Sequence, residues 1–139
     1  VRDDEGSVLL LVLGLSVVLF ALVAVVVDVS VVALARRGVS SAADGAAVSA
    51  AQAVDTQAYA AAGAADVLPL SEAGVRQRVS TYAARAEQGQ PGLTVTGRLE
   101  GPGSVVVTAR REVALPFSGW FGVGRVAITA ESRAQAPLS

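Results

Sequence analysis

Val8–Val27, VLLLVLGLSVVLFALVAVVV, decides how the rest of the chain is read. It holds no charge and no proline, and only Gly14, Ser16 and a few alanines interrupt its large apolar side chains. As a helix, about 20 such residues rise about 30 Å, the hydrocarbon thickness of a bilayer. The rival reading is a core helix of a soluble domain. A chain of 139 residues does not readily enclose a helix that is apolar on every side. The run is therefore expected to cross a membrane.

Composition narrows what surrounds it. The chain is 53% hydrophobic with a formal net charge of −1, room for one membrane segment and one small domain. Without a basic excess, a nucleic-acid partner has no electrostatic support. Cysteine is absent, which excludes a disulfide framework and thiol chemistry. Histidine is absent too, removing the commonest metal ligand and general base. No phosphate-binding glycine loop, zinc motif or nucleophile elbow occurs. The expectation is a protein that is not an enzyme and carries no cofactor or metal.

Upstream of the run, Val1-Arg2-Asp3-Asp4-Glu5-Gly6-Ser7 is short and charged. Its carboxylates favour the positive end of a helix dipole. Glu5 invites a sharper reading, because a carboxylate at the edge of an apolar run is costly unless paired. With a free amino group on Val1, Glu5 of one subunit would neutralise Val1 of its neighbour and set the axial register. Inside the run, Val8, Leu11, Gly14, Leu15, Val18, Leu22 and Val25 are the candidate packing residues for a membrane or filament core, with Gly14 a close-contact point.

Downstream, the run ends at Asp28, but no proline follows before Gly63 and alanine dominates. A continuous helix from Ser7 to Ala62 is expected, a stalk beyond the membrane. Gly38 and Gly45 are expected to weaken or bend it. Small residues recur in pairs at four-residue spacing, Ala42-Ala43, Ala46-Ala47 and Ala50-Ala51, a smooth ridge that lets another backbone approach. Ala43, Ala47, Ala50 and Asp28 are the candidate stalk-packing residues. One face of the ridge is expected to cover the chain's own small domain and another to meet neighbours. Asp28 and Asp44 are expected to pair with arginines of adjacent helices.

The remainder is a small domain. Pro69 ends any helix and Ser71 is placed to cap the next, an amphipathic stretch over Glu72–Gln88. After the turn Gly89-Gln90-Pro91-Gly92 the apolar period changes to two. Strands are expected over Leu93–Glu100, Ser104–Leu115 and Arg125–Ala134, an antiparallel meander needing a helix on one face. Arg111 interrupts the apolar face of the second strand, so a bulge or an edge is expected there. The aromatic cluster Pro116–Gly122 is expected to plug the open end of the sheet. The fold class is thus α+β: a long N-terminal hydrophobic helix extended as a stalk, a second short helix and a three-stranded antiparallel sheet. Two domains are expected, 1–63 and 64–139.

A polar start with Glu5, an apolar helix, an alanine-rich stalk and a small β-rich domain are together the layout of type IV pilins and pseudopilins. More closely, Glu5 to Ala53 resembles the TadE/TadG-like proteins of the tight-adherence (Flp, type IVc) pilus systems. The matching residues are Gly6-Ser7, Asp28, Arg36-Arg37 and the stretch Ala42-Ala43-Asp44-Gly45-Ala46-Ala47-Val48-Ser49-Ala50-Ala51. The resemblance implies insertion in the cytoplasmic membrane, cleavage of a short leader by a prepilin peptidase, contact with a pilus assembly platform, and incorporation with identical or related pilin subunits into a surface filament. The alternative is a stationary single-pass membrane component, or a minor pseudopilin, of the same machine. A receptor using the Trp120 loop is a weaker third reading.

Overall fold

The computed structural model describes residues 2–53, 70–101 and 103–136, with side chains from Gly6 onward. Helix α1 runs over Arg2–Ala51, α2 over Glu72–Gly89, and strands β1, β2 and β3 over Thr94–Leu99, Ser104–Ala114 and Arg125–Gln135. A short 3-10 helix, Ser118–Phe121, lies between β2 and β3. The expected α+β composition is present: a long apolar helix, a second helix and an antiparallel meander in the order β1-β2-β3. The chain separates into two compact units, one of residues up to Ala33 with Ala114–Val126, the other of Leu34–Val113 with the residues from Ala127 on.

α1 forms because its sequence offers apolar helix formers and no proline over 50 residues. It does not continue to Ala62. It ends at Ala51, where Gln52 and Ala53 donate to the carbonyls of Ser49 and Ala50 and tighten the last turn. The physical reason is a competing partner: the Ala53 carbonyl accepts from the Ser71 amide at 2.9 Å, which takes the chain out of the helix. Residues 54–69, and with them most of the expected break before Ser71, lie outside the described residues.

The larger unit has its core between α1, α2 and one face of the sheet. Ala46, Ala47, Ala50 and Ala53 meet Leu70, Val75, Val79, Val105, Val107 and Ala136. α2 starts as expected, with the Ser71 hydroxyl accepting from the Gly74 amide at 3.2 Å. Its buried residues are Val75 and Val79. Val79 sits so close to β1 that a Cβ on Gly97 would lie 2.8 Å from its Cγ2.

β1 pairs antiparallel with β2, from Thr94 opposite Arg110 to Leu99 opposite Val105. That register turns Val105, Val107 and Ala109 toward the helices. β2 is the central strand, but its ladder with β1 ends at Arg110, so Arg111 lies just past that ladder, near the expected edge. Alternation runs through Arg111 to the buried Val113. The inward Arg111 is tolerated because β1 has begun only opposite Arg110, and its Nε reaches the Pro91 carbonyl at 3.2 Å. On the opposite face Val106 is also buried. The Arg98–Glu131 pair, contributed by the strands on either side of β2, extends across that face.

Gly38 and Gly45 have a further role in α1. The helix is continuous through Gly38 and Gly45. A Cβ at Gly45 would collide with the Tyr82 hydroxyl, and one at Gly38 would lie 2.6 Å from Gln90 Oε1. Gln90 Nε2 donates to the Gly38 carbonyl at 3.3 Å. These glycines are therefore seats for side chains of α2 and its C-terminal cap.

Candidate membrane and assembly surface

In the smaller unit the apolar run has almost no protein cover. Val8, Leu11, Leu15, Val18, Leu22 and Val25 are all exposed, as are the large side chains between them. Gly14 has open space where a Cβ would stand. In water this surface would be prohibitive, at roughly 25 cal/mol for every Å² of apolar area. In lipid it costs nothing of the kind. The run also carries no unpaired hydroxyl: Ser16 Oγ donates to the Val12 carbonyl at 2.8 Å, and Ser30, just past the run, donates to Val26 at 2.7 Å.

Asp28, the first residue past the run, is the one buried charged side chain among the described residues, with 6% of its surface exposed. Within the chain its carboxylate already has partners. It is filled by the β2–β3 loop: Oδ1 accepts from the Phe117 amide at 3.1 Å, Oδ2 from the Ser118 amide at 2.8 Å, and Oδ2 again from the Ser118 hydroxyl. The Ser118 hydroxyl, and then the two amides, hold the Asp28 carboxyl below its ordinary range, against the opposing effect of desolvation. Three donors on one carboxylate satisfy a charge at the edge of an apolar segment without a counter-ion.

The loop held in this way does not plug the sheet, contrary to expectation. Leu115 N to Gly124 O, 3.0 Å, closes its base. The 3-10 turn and the left-handed Gly122, at φ 86°, carry the chain back. Trp120 and Phe121 are 88% and 87% exposed.

The sequence-predicted residues fall into separate groups. The seven run residues form one continuous exposed surface. Ala43, Ala47 and Ala50 are buried against the chain's own α2 and sheet, so the inner side of the ridge is occupied. Asp44 and Val48 lie on the exposed side of α1. Val1 and the Glu5 side chain, the expected register pair, lie outside the described residues. Sequence reasoning missed Phe117 and Ser118 as partners of Asp28. The available signal was chemical: a carboxylate ending an apolar run needs donors, and the long uncharged loop with its single serine is a source of them.

By length and composition α1 can cross a membrane, and its most apolar part is wholly exposed. Among the described residues that gives one candidate membrane helix, joined in sequence to a small α+β unit. Residues 6–53 match the model of the Tad family, Flp pilus-assembly TadE/G-like. The match bears out the resemblance seen in the sequence and covers the apolar run, Asp28 and the alanine ridge. Together with the apolar helix it supports a pilus-related membrane protein. No curated protein and no solved structure matches the chain.

Proposed function

We propose that the chain is a structural, pilin-like subunit. It is held in the cytoplasmic membrane by Val8–Val27 and assembles into a Tad/Flp filament when the same residues pack against identical helices. The observation that carries this reading is the exposure of every large side chain of the run within a segment that matches a pilus-assembly family. A surface of this kind suits either lipid or other copies of itself, and exchange between the two costs little because lipid tails are as apolar as leucine. Glu5 paired with the neighbour's amino group would penalise misaligned subunits.

The test uses the absence of native cysteine. Leu15→Cys in the full chain is expected to give oxidised dimers in sheared surface material, and Glu5→Lys to abolish the filament fraction while leaving the membrane fraction intact. Normal filament yield with Glu5→Lys would remove the register role. A stationary machine component is the second reading, favoured by the burial of the alanine ridge in the chain's own core. It predicts no Leu15→Cys dimer and no chain in the sheared fraction.

A further inference from the structure

We propose that the β2–β3 loop is a second membrane contact: an aromatic anchor that seats Trp120 and Phe121 in the headgroup layer where α1 leaves the hydrocarbon. The inference goes beyond filament assembly, since it applies to the chain in lipid whatever its later fate.

Position argues for it first. The apolar run accounts for about 30 Å, so Asp28 stands at the edge of the hydrocarbon. The loop is bonded to that residue through Phe117 and Ser118. Trp120 lies two residues beyond Ser118, so its Cα is at most about 7 Å away. The interfacial layer on each side of a bilayer is roughly 5–7 Å thick. Trp120 is thus within reach of the depth where its ring and indole N–H are best accommodated.

Chemistry agrees with position. Ala114–Gly124 holds no charge, and Glu112 and Arg125 bound it. Trp120 and Phe121 have almost no cover from the protein, and Val123 is exposed near them in the chain. Water is a poor solvent for such a loop. Ala24, one turn back from Asp28 on the same side of α1, is the one residue of the run that is half buried. The loop is the other segment of this unit. The occupant that fits is therefore lipid, continuous with the lipid around Val8–Val27.

Trp120 is the only tryptophan, so it reports on itself. The full chain is reconstituted at low density in vesicles of phosphatidylethanolamine and phosphatidylglycerol, with bromine placed at shallow or deep acyl positions. Expected are a blue-shifted emission, stronger quenching by shallow than by deep bromine, and little quenching by aqueous iodide. Ser118→Ala with Asp28→Asn should lose most of the shallow quenching and gain iodide quenching while the chain stays in the vesicles. Far-ultraviolet circular dichroism checks that the helices remain, and Ser118→Ala alone serves if the double variant does not fold. Emission typical of water with free access to iodide would overturn the proposal. So would protection that disappears on dilution of protein in lipid, because the occupant would then be a second copy of the chain.

Discussion

The two halves of α1 are built from the same kind of sequence and do opposite things. Val8–Val27 carries large apolar side chains and exposes nearly all of them; Ala35–Ala50 carries small ones and buries those on one side completely. Bulk in the first half has no protein to fill, so it serves a surrounding medium. Smallness in the second half lets α2 and the sheet come close, to the point where Gly45 makes room for Tyr82. Hydrophobicity alone does not separate core from membrane surface. Side-chain size, and the availability of a second layer, do.

Moving a single charge between the halves breaks this comparison most sharply. Val18→Asp, in the run, is expected to cost about 2.5–3.5 kcal/mol of insertion free energy, read as loss of chain from the membrane fraction. Val48→Asp, on the 59% exposed side of the second half, is expected to change stability by no more than about 0.5 kcal/mol in urea unfolding. Equal losses at both sites would show that the first half also depends on protein packing.

Size gives the next effect. Ala47→Leu overpacks the contact with α2 and the sheet and is expected to destabilise the larger unit by about 1–3 kcal/mol. Leu15→Ala, the reverse exchange in the run, is expected to leave that unfolding midpoint in place. A midpoint shift from Leu15→Ala would mean that the run is part of the folded core.

The smallest effect belongs to the boundary between the halves. The Asp28 carboxyl titrates below its ordinary value of 3.8 because the loop donates to its ionised form. A lowered folded-state value means that docking is favoured in full above the ordinary value. The advantage is lost as pH falls below 3.8 toward the lower, folded-state value. Trp120 emission should therefore be flat above that pH and change only below it, and Asp28→Asn should abolish the step. A step at neutral pH would assign the docking to another group.

Much of this was legible beforehand. The apolar run, the Ser71 cap, the change of period after Gly92 and the three strands are local patterns, set by side-chain periodicity and backbone chemistry. Two expectations failed for one shared reason. The helix stops at Ala51, where the Ser71 amide takes the Ala53 carbonyl, and Trp120 and Phe121 stay exposed on a loop whose first amides Asp28 holds. Each involves a partner distant in sequence.

The sequence by itself determined that this chain has a membrane-length apolar helix, an alanine ridge and a small α+β unit, because composition and period act over neighbouring residues; its N-terminal segment also resembles TadE/G-like proteins residue by residue. Only the tertiary structure decided which side of the ridge is used, which glycines are seats, and that Asp28 belongs to the Phe117–Ser118 loop. Those outcomes depend on partners far along the chain, Gly38 with Gln90 and Asp28 with Phe117 and Ser118 by hydrogen bonds and the ridge and Gly45 by close packing, and such contacts are satisfied in space, with no trace in local periodicity.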